Sequence, residues 1–73
     1  MQEIKITQDI SGQRLDKFLA RHLSAAPKAF IHKMLRKKNI VVNGKRAEGG
    51  TILAAGDIVT LYLADETIKK FAK

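Results

Sequence analysis

Residues 27–46 read PKAFIHKMLRKKNIVVNGKR and contain the clearest structural signals in this chain. Pro27 suits the first position of a helix, because its missing N–H is not needed there. The helix is predicted to run to about Lys38, and Asn39 is expected to take the left-handed conformation that ends it. Four apolar residues recur at the spacing of one helical face: Phe30, Ile31, Met34 and Leu35.

The residues that follow this helix predict a β-hairpin. Ile40-Val41-Val42 is typical of a strand, and Asn43-Gly44 favours a two-residue type I′ turn into a partner strand over residues 45–47. A further strand is predicted over residues 58–63, where apolar residues alternate with Thr60 and Tyr62.

Outside this region the pattern adds two elements and a tail. A short strand is predicted over residues 4–6, and a helix from Arg14 to Leu23. Residues 65–73 either start a helix with Asp65 as its N-cap or form a linker. The expected fold class is therefore α+β, with two helices and a small antiparallel or mixed sheet.

Composition limits the classes of function. At 73 residues the chain forms one domain with a thin core, which leaves no room for a large enclosed substrate pocket. It has no cysteine, which excludes disulfide scaffolds and zinc fingers and fits a cytoplasmic protein. No signal peptide and no apolar run near the ~20 residues of a membrane span are visible. No metal site, cofactor or small-molecule substrate is expected.

The charge balance indicates a polyanionic partner. Fourteen Lys and Arg against seven Asp and Glu leave a net charge of +7 and a pI near 10.1. No acidic residue occurs between Pro27 and Asn43, and one half of the second helix collects the cations Lys28, His32, Lys33, Arg36 and Lys37. Since like charges on one helix repel, a bound polyanion explains the pattern better than solubility alone.

Neighbouring elements extend the same positive surface. Arg14, Lys17 and Arg21 share one face of the first helix, although an ordinary solvated face is an equal explanation for that stripe. Lys38, Lys45 and Arg46 continue the positive charge into the hairpin.

Charge alone leaves the identity of the polyanion open. An anionic membrane would need large apolar residues free to insert, whereas those of the second helix are needed for the core. DNA and RNA are not distinguished by charge, and few aromatics are available for base stacking. Contacts are therefore expected mainly to phosphate and sugar.

Two motifs resemble a known family. Residues 13–19, QRLDKFL, and residues 40–45, IVVNGK, are together similar to the S-four RNA-binding domain, also called the alpha-L motif. Residues 33–41 and 63–67 resemble more closely the N-terminal domain of large-ribosomal-subunit pseudouridine synthases of the C/D class. In that family a glycine often stands where this chain has Asn39.

The resemblance implies a function and a contact surface. Residues 1–64 would bind structured ribosomal RNA as a monomer, and residues 65–73 would be a tail or lead to a catalytic domain. A free-standing domain of the same fold, binding ribosomal RNA or ribosomal particles without catalysis, is the alternative. The family's contacts fall here on Arg14, Lys17, Lys28, His32, Lys33, Arg36, Lys37, Lys38, Asn43 and Lys45.

The chain itself is not expected to be an enzyme. Arg14-Leu15-Asp16 has the same three residue types as the catalytic motif of the synthases, but that motif belongs to their large domain. Here Asp16 opens a helix, where a carboxylate interacts favourably with the helix dipole and can pair with a nearby cation.

Overall fold

The computed structural model describes residues 1–72, so the last residue of the predicted tail, Lys73, lies outside the described part. Seven elements follow one another along the chain. They are β1 Gln2–Lys5, α1 Leu15–His22, α2 Lys28–Arg36, β2 Ile40–Val42, β3 Lys45–Arg46, β4 Ile58–Leu61 and α3 Asp65–Phe71.

The four strands form one antiparallel sheet in the order β1-β4-β2-β3. The α+β prediction is confirmed, and the tail adds a third helix to the two that were predicted. Residues 12–16 and 49–53 also run beside each other, with Gly12, Leu15 and Asp16 donating their backbone N–H groups to carbonyls of the later segment.

One face of the sheet carries the core. The predicted apolar face of α1 is buried, and so are Ile31 and Leu35 of α2, while Phe30 and Met34 pack at the margin. Thirteen buried side chains form a single cluster: Ile6, Leu15, Phe18, Leu19, Leu23, Ile31, Leu35, Ile40, Val42, Leu53, Val59, Leu61 and Ile68. At about 25 cal/mol per Å², this burial is the main stabilising term of so small a domain.

The helix α2 ends at Arg36, two residues before the predicted Lys38, and the left-handed residue after it is one position earlier than predicted. Lys38, not Asn39, has the positive φ, at 63°. Lys38 N–H donates to the Leu35 carbonyl and Asn39 N–H donates to the Met34 carbonyl, which is the Schellman pattern with Lys38 at C′. Asn39 is unavailable for that role because it already extends β2, accepting a 2.6 Å bond from Tyr62 N–H.

The hairpin has the predicted turn. Asn43 and Gly44 have φ values of 52° and 75°, as a type I′ turn requires. The Asn43 side chain accepts from Ile58 N–H at 2.9 Å and donates to Asp57 Oδ1 at 3.0 Å. Asp57 Oδ2 also accepts from Ala54 N–H at 2.8 Å, so the β2–β3 turn is tied to the start of β4.

The tail forms α3 instead of an open linker. Ile68 is buried in the core, and the ring centroids of Phe71 and Phe30 are 4.8 Å apart. The N-cap prediction is one residue off: Ala64 occupies that position, without a side-chain bond. Asp65 is the first helical residue, and its carboxylate pairs with the amino group of Met1 at 3.1 Å.

Replacing Lys38 by glycine should stabilise the protein. An L-residue in the left-handed region is strained by roughly 1 kcal/mol, and glycine removes that strain. We expect Lys38→Gly to raise the free energy of unfolding by about 0.5–1 kcal/mol, measured by urea denaturation. Lys37→Gly is the matched control, because it removes the same side chain at a φ of −85° and should destabilise. Equal destabilisation by both changes would contradict the assignment of Lys38 as C′.

Low pH should weaken the hydrogen bonds of Asp57 that connect the β2–β3 turn to the start of β4. The bonds from Ala54 N–H and the Asn43 side chain lower the pKa of Asp57 below its ordinary value of 3.8, with slight burial opposing them. A lowered carboxyl pKa gives stability that is present above the unfolded value and lost as pH falls through the folded one. We therefore expect the urea midpoint to drop as pH falls below about 4, and to drop less in Asp57→Asn. Asp9→Asn, which alters an exposed aspartate without a hydrogen-bond partner, should retain the wild-type pH profile.

Candidate nucleic-acid interface

The cations of α2 and the following turn all face solvent. Because Ile31 and Leu35 are turned into the core, the other side of the helix is exposed along its whole length. We call this set the basic face: Lys28, His32, Lys33, Arg36, Lys37 and Lys38, all exposed. The predicted separation of apolar and basic halves is confirmed.

A groove of about 150 Å³ lies between α1 and α2. Lys17 approaches it from α1, and Lys28 and His32 line it from α2. Ala20 and Ile31 also line the groove and supply apolar surface. The two helices therefore bring predicted contact residues from separate parts of the sequence to one depression.

A second groove, of about 190 Å³, joins α2 to the hairpin. His32 lines this groove as well as the first, so the two depressions are adjacent along the helix. Arg36 lines it from α2, and Arg46 from β3. Arg46 is not among the contact residues that the family resemblance implied. Its position next to Lys45 in the predicted hairpin is the sequence feature that could have identified it as a contact residue.

Asp16 holds the Arg14 side chain at the N-terminus of α1. The guanidinium donates from Nε to Oδ1 at 3.3 Å and from Nη2 to Oδ2 at 3.1 Å. Partial burial raises the pKa of Asp16, but Arg14, the Lys17 backbone N–H and the charge of His32 outweigh it and lower the pKa below 3.8. Asp16 is thus a charged positioning group beside the grooves, consistent with the expected pairing to a nearby cation.

Three further residues were predicted from the sequence to extend the interface. Lys45 is exposed on β3. Asn43 has both ends of its amide bonded within the fold, so its part in RNA contact stays a prediction. Arg21 lines a separate depression with Phe18 and His22. Among the three cations on that face of the first helix, Lys17 is the one that lines the α1–α2 groove.

No cation of the basic face forms an ion pair within residues 1–72, although Asp16 lines the α1–α2 groove near His32 and Glu48 lines the α2–hairpin groove. Within residues 1–72 the structure contains two ion pairs, Met1 with Asp65 and Arg14 with Asp16. Neither involves α2 or the hairpin. The cations of α2 outnumber these two carboxylates, so the potential along the helix stays positive and favours an anionic ligand there.

Two other classes of site are absent from the described part of the chain. No group of three or more His, Asp or Glu side chains comes together there in a way that could hold a metal ion. None of the helices found in residues 1–72 is long and apolar enough to cross a bilayer.

Gly49 holds the loop against both helices. A Cβ at this position would lie 3.1 Å from His32 Cε1 and 3.2 Å from Asp16 Cβ, both closer than ordinary contact. The Gly49 carbonyl also accepts from Asp16 N–H at 2.9 Å, which satisfies an N–H at the start of α1. A side chain on this loop residue would therefore push α1 and α2 away from the loop.

Gly49→Ala should destabilise the protein by about 1–3 kcal/mol, because Asp16 Cβ is fixed to the helix backbone and cannot move aside freely. Gly50→Ala is the control, since a Cβ there meets only Arg14 Nη2, at 3.7 Å. Urea denaturation of both variants measures the difference. Equal stability of the two variants would show that the close approach at Gly49 is unimportant.

Comparison with known proteins identifies relatives of this arrangement. Ribosomal large subunit pseudouridine synthase C of Vibrio vulnificus is 41% identical over 61 residues, covering 84% of this chain and 19% of that protein. The synthase of the same name from Escherichia coli strain K12 is 43% identical over 58 residues, covering 80% and 18%. The chain thus spans about a fifth of the length of these relatives, at their N-terminal part. The rest of each relative has no counterpart in the 73 residues.

A family model adds the fold assignment. The S4 domain model matches residues 13–59, which include α1, α2, the hairpin and the start of β4. Both grooves and the basic face are built from this segment. The expected S-four resemblance is confirmed, and the chain belongs to the S4 domain family of RNA-binding domains.

Proposed function

We propose that this domain binds structured RNA of the large ribosomal subunit and positions a pseudouridine synthase domain on it. The main support is the set of cations that lines two adjacent grooves from Lys17 across α2 to Arg46. None of the cations on α2 or the hairpin forms an ion pair within residues 1–72, and they outnumber the two acidic residues of the grooves, Asp16 and Glu48. The relatives add the substrate class, because their names place them on the large ribosomal subunit.

The geometry supports recognition through phosphate and sugar. The two grooves are shallow and bordered by long flexible cations, which suit phosphates on the edge of a folded RNA. The apolar surface of Ala20 and Ile31 in the α1–α2 groove suits the less polar part of a ribose. Shape and charge, more than base sequence, would then select the target.

The proposal also assigns separate roles to two domains of a longer protein. Residues 1–64 would form the RNA-binding unit, acting as a monomer in the cytoplasm, and residues 65–73 would lead towards the synthase domain. In this arrangement the 73 residues supply binding and orientation, and uridine isomerisation takes place in the other domain.

Charge reversal on the basic face should abolish RNA binding. We expect Arg36→Glu combined with Lys37→Glu to lower affinity for a large-subunit ribosomal RNA hairpin by at least a hundredfold, because two phosphate contacts become repulsive. The wild-type affinity should also fall steeply with salt, since binding releases several counterions. Fluorescence anisotropy over a salt series measures both effects.

A charge-matched control separates location from total charge. Lys5→Glu combined with Lys69→Glu makes the same change in net charge on β1 and α3, away from the grooves, and should weaken binding much less. Circular dichroism checks that each variant is folded. Binding that survives the α2 reversal, or equal affinity for duplex DNA of the same sequence, would overturn the proposed function.

A further inference from the structure

The sheet has an outer face that no helix of the described residues covers. All three helices contribute to the core cluster on the opposite face. Strand register places Glu3, Thr60, Val41 and Arg46 in one row across the outer face. Thr60 and Val41, in the middle of this row, are each only 5% exposed, so the face is open at its margins and not at its centre. Arg46 lies on the edge strand, where it also borders the α2–hairpin groove. Ile58 and Tyr62 follow the alternation of β4 onto the same face and are 40% and 52% exposed.

Tyr62 is the one largely exposed side chain among the phenylalanines and the tyrosine of residues 1–72. Phe18 is buried, and Phe30 and Phe71 pack against each other. The backbone of Tyr62 is fixed in the sheet, because its N–H donates to the Asn39 carbonyl at 2.6 Å and its carbonyl accepts from Asn39 Nδ2 at 3.3 Å. An exposed ring on a rigid strand end is pre-organised for stacking.

The position of Tyr62 continues the basic face. Asn39, its partner across the sheet, directly follows Lys37 and Lys38 at the end of α2. An RNA strand whose phosphates contact these two lysines would next meet Asn39, which is hydrogen-bonded to Tyr62. The cations and the ring are joined by one residue that is itself hydrogen-bonded to the tyrosine.

We propose that Tyr62 stacks on an unpaired nucleobase of the RNA strand that leaves the basic face past Lys38. This inference rests on the proposed function and deepens it, because it adds a single-stranded nucleotide to a site that otherwise recognises structured RNA. Every base has a π-face, so the contact favours unpaired over paired RNA without selecting one base.

A second copy of this chain is a less suitable occupant. Each copy has a net charge of +7, so two outer faces, each bordered by Lys5 and Arg46, would repel. The exposed large apolar side chains on this face of β4 are Ile58 and Tyr62, too few for the roughly 800 Å² that each partner buries in a stable interface. RNA carries the opposite charge, and stacking of one of its bases requires only the single exposed ring of Tyr62.

The composition of the chain gives a direct spectroscopic test. Tyr62 is the only tyrosine and there is no tryptophan, so tyrosine emission reports on this one ring. Two probes are compared: a blunt large-subunit RNA hairpin, and the same hairpin with three unpaired nucleotides added at either end. We expect the extended hairpin to quench the emission strongly and the blunt hairpin to quench it little. Equal quenching by both probes would overturn the proposal.

Affinity measurements with variants complete the test. The extension should raise wild-type affinity by roughly five- to a hundredfold, as expected for base–aromatic stacking. Tyr62→Phe should keep this gain, whereas Tyr62→Ser should lose it and still bind the blunt hairpin as wild type does. Ile58→Thr, on the same face but at the other end of β4, should keep the gain.

The outcomes separate this proposal from the function on which it rests. If Tyr62→Ser keeps the gain from the extension, the stacking contact is wrong while binding of the blunt hairpin still supports the basic face. If tyrosine emission instead changes with protein concentration in the absence of RNA, the outer face is a contact between copies and the proposal is wrong.

Discussion

At Lys38 the backbone takes a positive φ, and the chain passes from α2 to β2 through three residues. The two Schellman bonds close the helix, and Asn39 is already paired with Tyr62 of the neighbouring strand. Because β2 lies inside the sheet, between β4 and β3, this reversal fixes the basic face of α2 relative to the hairpin. The groove between α2 and the hairpin therefore depends on where this helix ends.

Much of this arrangement is visible in the sequence, since it depends on local periodicity. Apolar spacing gave the buried faces of α1 and α2, and Asn43-Gly44 gave the turn. The residue that ends α2 was misassigned because asparagine generally tolerates the left-handed region better than lysine. Here a tertiary bond, from Tyr62 to Asn39, outweighs that preference, and it joins residues that are far apart in sequence.

The candidate site, like the fold, could be predicted from the sequence only where it depends on local features. The cations of α2 could be predicted, because an unbroken run without acidic residues is a local feature. Their grouping with Lys17 and Arg46 depends on how α1 and the hairpin pack on α2, and on the glycine that lets the loop approach His32. The proposed contact at Tyr62 was hidden for the same reason: its neighbour, Asn39, comes from another strand.

The pairing of residues 12–16 with residues 49–53 has a consequence for folding. The first N–H groups of α1 are satisfied by carbonyls of Gly49 and Thr51, which are synthesised much later and lie beyond α2 and the hairpin. As an isolated segment of eight residues, α1 would be too short to persist in water. The α1–α2 groove therefore assembles only when the chain closes around the whole domain, so a partly folded chain presents the cations of α2 without the wall that gives them shape.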